Sequence, residues 1–486
     1  MPAHAGAGHG ACGGMRATRQ VTVCEHSMMH SSGPAVSSQR AVRLLAVLAA
    51  LMLVGCGSTA RLDAIVAHRA GIPEASAASV RAIDALAQRT GTNLLERHVA
   101  ETAQILGTPI VAGNSARLLV DGPQTHAQMF ASIAAARDHI NLVSYIIDDD
   151  ETGARLADAL IERRQAGVVV NLMYDSVGSM ATPTEWFDRL REAGISVCEF
   201  NPVNPSRLRR AWRVNNRDHR KILVVDARTG FAGGVNVSDV YAAGSFGSAR
   251  RRQSADIPWR DTHVMIKGPA VADLQRSFTD RWTQQRCADL GDTGRYFPEL
   301  ADAGRLPVRI VAGGPGHETA DHYRALISAF EHAEQRILIT CGYFVPDPGM
   351  RDVLIRAARR GVDVRLLLPS ISDFWAPIEA GRSHYAALLA AGVRINERTG
   401  ALLHAKTAVV DGVWSTIGST NLDFRSFLHN EEANVIVFDD GFAAELERLF
   451  ARDLDRSTEI RADEWARRGI VPRLRQWFAR QFEYLL

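Results

Sequence analysis

Residues 218–236 read "DHRKILVVDARTGFAGGVN", and residues 403–421 read "LHAKTAVVDGVWSTIGSTN". Laying His219 on His404 aligns Lys221 with Lys406, Asp226 with Asp411, Gly233 with Gly418 and Asn236 with Asn421. Only three of the 56 basic residues are lysines, and two of these, Lys221 and Lys406, hold matched places; the third is Lys267. A lone His and Lys on a half-exposed strand read as surface polarity. Two copies with matched flanks in so lysine-poor a chain read as a site.

The likeness spreads outward from the motifs. "AARDHINLVSYIIDDD" (135–150) parallels "HAEQRILITCGYFVPD" (332–347), each a helix end, an apolar β-rich run and acidic residues. "LIERRQAGVVVNLMYDS" (160–176) parallels "LIRAARRGVDVRLLLPS" (354–370), where an amphipathic helix ends at Gly167 or Gly361 before a strand. "WFDRLREAGISVCEF" (186–200) and "HYAALLAAGVRINER" (384–398) repeat helix, Gly and strand. The fold class is therefore α/β: two similar βαβαβ halves with mixed sheets, packed about a pseudo-two-fold axis that brings the two histidines together. The expected division is a leader (1–56), an N-terminal helical segment (57–114), a first half (115–291, motif segment 214–241), a linker (292–307) and a second half (308–486, motif segment 399–426) ending in an amphipathic helix.

Composition sets limits. A chain of 486 residues suggests two or three domains, and 46% hydrophobic with 23% charged residues is ordinary for a globular protein. The formal net charge of +2 excludes a global polyanion binder, so attraction to anions must be local. Six cysteines are too few for a disulfide scaffold. Cys198 and Cys341 sit in apolar strand-like runs and read as core; Cys287 carries no signal of its own.

The N-terminus reads as a secretion signal. Arg40 and Arg43 precede "LLAVLAALML", which is too short to span a bilayer comfortably, and "LVGC" ends at Cys56. The cysteine stands where a bacterial lipoprotein lipobox is cleaved and lipidated; an uncleaved membrane anchor is the other reading. Met28 or Met29 fits as the true start, because residues 1–27 resemble neither signal nor fold.

The motif has chemical meaning. Residues two apart on a strand share a face, so His219 and Lys221 point one way, as do His404 and Lys406. The Asp lies seven residues on, roughly 23 Å along a strand and on the opposite face. "VVDG" (409–412) is a hairpin signal and "VVDARTG" its longer version, so Asp226 and Asp411 read as positioning groups within the six-residue catalytic motif set. Two imidazoles facing one spot suit phosphodiester chemistry: one attacks phosphorus while the other protonates the leaving alkoxide and later deprotonates the acceptor. The lysines supply point charge to non-bridging oxygens, a task a planar guanidinium performs differently. Asn236, Asn421, Ser419 and the Gly-rich turns are the candidate substrate-binding shell. The residues form no cluster of metal-ligand type and imply no cofactor.

The pair HxK(x)4D(x)6GGxN and its GSxN copy resembles the phospholipase D superfamily over about residues 115–486. "NNRDHRKILVVD", "GGVNVSDVY", "WRDTHVMIKGPAV", "STNLDFRSF" and "NEEANVIV" look closer still to bacterial cardiolipin synthases. The resemblance implies His219 as nucleophile, His404 as general acid and base, and Lys221 and Lys406 as phosphate holders. It also implies acids that orient the imidazoles, matched to Asp261 and to Glu431 or Glu432. The familiar cardiolipin synthases carry two N-terminal transmembrane helices, and this chain departs from them with its single short signal.

The implied reaction is transfer of a phosphatidyl group to phosphatidylglycerol, with phosphatidylglycerol or phosphatidylethanolamine as donor. The alternatives are hydrolysis by water, a nuclease, and a lipid-binding scaffold; the membrane tether argues against nucleic acid, and the intact motifs argue against a scaffold. No protein partner is legible. Arg207, Arg209, Arg210, Arg213 and Arg217, with Arg250 to Arg252, form a basic cluster suited to anionic head groups or simply to solvent. At the C-terminus Leu474, Trp477, Phe478, Gln481, Phe482 and Leu485 fall at helical spacing; docking on the core is the first reading and a membrane interface the second. The expected location is a bacterial membrane surface with the catalytic part in the periplasm. Gly57, in place of an Asp after the lipidated cysteine, leans towards the outer membrane.

Overall fold

The chain begins its first half with β1 (Val111–Val120), β2 (His139–Ser144), β3 (Val169–Asp175), β4 (Ser196–Phe200), β5 (Arg217–Asp218), β6 (Ile222–Val225), β7 (Thr229–Gly233), β8 (Trp259–Arg260) and β9 (Thr262–Lys267). The second half answers with β10 (Leu306–Gly313), β11 (Arg336–Cys341), β12 (Asp363–Pro369), β13 (Arg394–Arg398), β14 (Leu402–Leu403), β15 (Lys406–Val410), β16 (Trp414–Gly418), β17 (Asn430–Phe438) and β18 (Ser457–Glu459). This structure, a computed structural model, describes residues 75–203, 215–245, 257–315 and 320–486, all within the unit Gly57–Leu486. Cys56 and its signal, and the arginines at 207, 209, 210, 213 and 250–252, lie outside the described residues.

The strand order is β18-β13-β12-β11-β15-β16-β17-β10-β1-β9-β7-β6-β2-β3-β4. Read outward from the central β1–β10 pair, the two halves follow the same order, so β9 answers β17, β7 answers β16, β6 answers β15 and β2 answers β11, and the second half adds β18 at its edge. In both halves three parallel strands (β2-β3-β4, β11-β12-β13) join an antiparallel hairpin. The mixed sheets expected from the repeat are what form, joined through β1 and β10 into one sheet.

Local chemistry explains the repeat. The acidic residues after β2 and β11 are helix N-caps: Asp150 accepts from the Gly153 N–H, and Asp347 from those of Gly349 and Met350. The helices Glu151–Gln165 and Pro348–Arg359 bury the same face, Leu156, Ala157 and Leu160 in one and Val353, Leu354 and Ala357 in the other. Each buried leucine stabilises by roughly 1.5–3 kcal/mol. Gly167 and Gly361 follow with φ of +91° and +96°, which only glycine takes without cost. The helices Ala77–Thr90 and Leu94–Thr102 pack Ile83, Leu86, Leu94 and Leu95 into the core of the second half.

Three expectations are corrected. The first hairpin turn is no longer than the second: Asp226 and Ala227 both have positive φ, as do Asp411 and Gly412, and Val225↔Thr229 matches Val410↔Trp414. Ala227 takes the left-handed conformation that Gly412 takes freely, at a cost of about 1–2 kcal/mol. Cys198 is not simply a core residue but forms a disulfide with Cys287, Cα–Cα 5.6 Å, linking β4 to the end of the helix Val271–Gln284; Cys341 is buried and free. The C-terminal helix Ile470–Arg480 docks, but through Gln476 and Ala479; Leu474, Trp477 and Phe478 point outward. No helix among the described residues is long and apolar enough to cross a membrane.

Candidate active site

Two short parallel pairings between the halves build the site. β5 runs beside β17 with Asp218↔Glu431, and β14 runs beside β8 with Leu403↔Arg260. One residue on, His219 therefore meets Glu432 and His404 meets Asp261. Each histidine is held by a carboxylate from the other half. His219 Nδ1 lies 3.0 and 3.1 Å from the two Glu432 oxygens, and His404 Nδ1 lies 2.7 Å from Asp261 Oδ2. An ionised carboxylate only accepts, so each Nδ1 carries a proton and each Nε2 is left to hold a lone pair or a second proton. The backbone repeats the exchange: the His219 N–H donates to Glu431 O, and the His404 N–H to Arg260 O.

The acids occupy equivalent places. Gly233 pairs with His263 and Gly418 with Asn434, and the acid stands two residues before each partner. Glu432, rather than Glu431, is the orienting residue, because neighbours on β17 point to opposite sides. Glu431 turns away to Arg281, 2.6 Å distant. Glu432 is further fixed by Ser426 Oγ (2.9 Å) and Asn430 Nδ2 (3.2 Å). The difference between GG and GS also has a cause. A Cβ at Gly234 would stand 2.1 Å from Asp261 Oδ1, whereas at the matching position Ser419 hydrogen-bonds to Glu432.

The remaining motif residues are less exposed than their chemistry implies. His219 and His404 lie just before β6 and β15 rather than inside a strand. Lys221 and Lys406 are 2% and 3% exposed behind them, each ammonium donating to the carbonyl of its own histidine, at 2.7 Å for Lys221. Lys221 Nζ also lies 5.1 Å over the Tyr145 ring. Asp226 and Asp411 leave the catalytic set. Asp226 accepts from the N–H groups of Arg137, Asp138 and His139, and Asp411 from those of Glu334, Gln335 and Arg336. Each staples its turn to the loop before β2 or β11.

His219, His404, Asn236 and Asn421 line one cavity of about 430 Å³. Asn236 is held by the fold, its Nδ2 donating to Tyr241 and its Oδ1 accepting from the Ile146 N–H. Ser419 sits behind the wall, its Oγ accepting from the Ala433 N–H at 3.0 Å. The family described as cardiolipin synthase, PLD-like domain, matches residues 129–246 and 326–454. Cardiolipin synthase 1 of Bacillus cereus is 34% identical over 402 residues, covering 80% of this chain and 76% of the relative. Cardiolipin synthase A of Pseudomonas aeruginosa is 37% identical over 369 residues, covering 76% and 72%. This chain belongs to the phospholipase D superfamily, in its cardiolipin synthase branch. The fold is shared with a phosphatidylserine synthase from Haemophilus influenzae, with a TM-score of 0.58 at 15% identity over 76% of this chain and 95% of that one.

In this cardiolipin synthase-branch site the electrostatics are unequal. Burial holds His219 well below the ordinary imidazole pKa, helped by the charges of Lys221, Lys406 and His404. Burial likewise lowers Lys221, to about 7. Burial also raises Glu432, whereas Asp261 is lowered overall: its contact with His404, and the nearby Lys406, outweigh its desolvation. Sequence reasoning missed several wall residues, among them Tyr145, Tyr343, Trp259 and Arg425. The Tyr145 ring packs 5.0 Å from His219, and Tyr343 stands in the matching place beside His404, donating its hydroxyl to Asp373. The aligned "SYII" and "GYFV" segments carried the only signal for the tyrosines. Arg217 is no part of a solvated basic face, being buried against Asp175 and Ser176.

Proposed function

We propose that the chain is a cardiolipin synthase acting through a phosphohistidine: it passes a phosphatidyl group from a phospholipid donor to the hydroxyl of phosphatidylglycerol. The observation that carries this reading is one cavity holding two imidazoles, each fixed at Nδ1 by a carboxylate of the other half. His219 Nε2 attacks phosphorus, and His404, which starts the cycle as the imidazolium, gives its Nε2 proton to the departing glycerol or ethanolamine oxygen. His404 then takes the proton of the incoming hydroxyl, whose oxygen displaces His219, so the proton ledger closes over one turnover. Burial lowers both imidazoles, His219 the further, which supports His219 as the neutral nucleophile, and the shorter contact of His404 with an ionised Asp261 supports its role as proton carrier.

Thin-layer analysis of the purified protein with phosphatidylglycerol, with and without phosphatidylethanolamine, tests the reading. Cardiolipin should form, and should still form in EDTA because the site supplies its own positive charge. Phosphatidic acid as the only product would replace transfer with hydrolysis. Lys221→Arg and Lys406→Arg should each lower turnover on the order of a hundredfold, the scale of one lost oxyanion contact. Both lysines are buried, and near-normal rates in either variant would remove the point-charge argument.

The catalytic unit is proposed to face the periplasm, anchored by lipidated Cys56, with the outer membrane favoured by Gly57. The Cys198–Cys287 disulfide supports an oxidising compartment. Mass spectrometry of the mature N-terminal peptide should find acylated Cys56; an unmodified Cys56 within intact upstream sequence would contradict the lipoprotein reading.

A further inference from the structure

The helix Ile470–Arg480 leaves most of its apolar side in the open. Ile470, Val471, Leu474, Trp477 and Phe478 are between 41% and 72% exposed. At 100° per residue they form a stripe about 120° wide, opposite the buried Gln476 and Ala479. Arg473 and Arg475 flank the stripe on either side, and no acidic residue lies between Ile470 and Arg480. Arg475 stacks over the ring of Trp375, 5.2 Å from its centroid, and lies 3.6 Å from Glu379, and so ties the helix to the junction between loop 371–374 and the helix Trp375–Arg382. At that junction Phe374 and Trp375 are 49% and 45% exposed, and Phe374, the last residue of the loop, also lines the catalytic cavity. The loop has a twin: "SVGSMATP" (176–183) matches "SISDFWAP" (370–377), and its Met180 is 72% exposed while its Val177 lines the same cavity. Both loops at the cavity rim therefore present apolar tips.

We propose that this face, the helix Ile470–Arg480 with the tip Phe374–Trp375, is where the enzyme lies on an anionic phospholipid bilayer, setting the cavity rim against its substrate. The proposal rests on the phospholipid reading above. Charge and position select the occupant. An aromatic and aliphatic stripe edged by arginines suits the headgroup boundary, where the rings enter and the guanidinium groups meet phosphate. The face is continuous with the cavity through Phe374, so a lipid leaving the bilayer beside the helix need not cross water. Among the described residues nothing covers the stripe.

The test uses the full chain, because the leader adds an anchor of its own. Hydrogen–deuterium exchange should slow over residues 470–480 and 371–377 when vesicles of phosphatidylglycerol and phosphatidylethanolamine are added, and much less with phosphatidylcholine vesicles. The double variant Leu474→Glu/Trp477→Glu should lose about tenfold of its turnover on vesicles while keeping its turnover on detergent-dispersed phosphatidylglycerol within about twofold. Unchanged exchange in the wild type overturns the docking face, whether or not the variant folds. Protection that appears without lipid as protein concentration rises assigns the stripe to a second copy and overturns it too. Lipid-dependent protection in a protein that turns over no phospholipid supports the face while removing the proposed reaction.

Discussion

His219→Asn should lower phosphatidyl transfer by about 10⁵–10⁶-fold, the scale on which enzymes lose rate with their nucleophile. Asn keeps a polar group of similar reach but has no lone pair able to form a stable bond to phosphorus. His404→Asn should cost less, on the order of 10³–10⁴-fold, because it removes proton transfer and leaves the attacking imidazole in place. The two residues are nearly symmetric in sequence and in the sheet, so any large difference between the variants reports the unequal chemistry of the two sides. Initial rates of cardiolipin formation in detergent, with folding checked by thermal melts, measure both.

The second large effect crosses between the halves. Asp261→Asn should lower turnover by about 10³–10⁴-fold, comparable to the loss when the carboxylate behind a catalytic histidine becomes an amide. The side chain is fully buried, with Oδ2 on His404 Nδ1 and Oδ1 accepting from the Thr262 N–H at 2.7 Å. An amide that offers a donor to Nδ1 moves the imidazole proton to Nε2, the wrong atom for taking a proton from the acceptor. Because Asp261 belongs to the first half yet serves the histidine of the second, its variant should behave like His404→Asn. Glu432→Gln, in the second half, should behave like His219→Asn. Kinetics that group each acid with the histidine of its own half would contradict the exchanged pairing.

Much of this was legible because it was written twice. The β-α-β order, the glycines after the helices and the acidic N-caps each appear in both halves, so a signal weak in one copy was confirmed by the other. Asp226 and Asp411 were also legible as positioning groups, since seven residues of strand carry a side chain too far to share a site with its histidine. What the sequence hid was the contact between copies. β5 and β8 are two residues long, and no periodicity marks which distant strand they join, so the exchange of orienting acids had no local signature. The choice between Glu431 and Glu432 hung on the register of β17, which side-chain alternation settles only once the strand has a partner. Cys198 and Cys287 are 89 residues apart, and apolar neighbours hide a disulfide as readily as a core thiol. In the C-terminal helix the apolar periodicity was read correctly and its direction was not: the small Ala479 allows close packing on the helix Trp375–Arg382, and the larger side chains are left outside.

The central claim is that one histidine carries the phosphatidyl group while the other moves the proton. Incubating the His404→Asn protein with phosphatidylglycerol labelled in its phosphate, quenching in base to preserve phosphohistidine, and mapping the label by peptide mass spectrometry tests it directly. The account predicts a phosphatidyl adduct on His219 that persists because its discharge is slow, and no adduct in His219→Asn. Label on a residue other than His219, or an active wild-type enzyme from which no covalent adduct can be trapped in any variant, would contradict it.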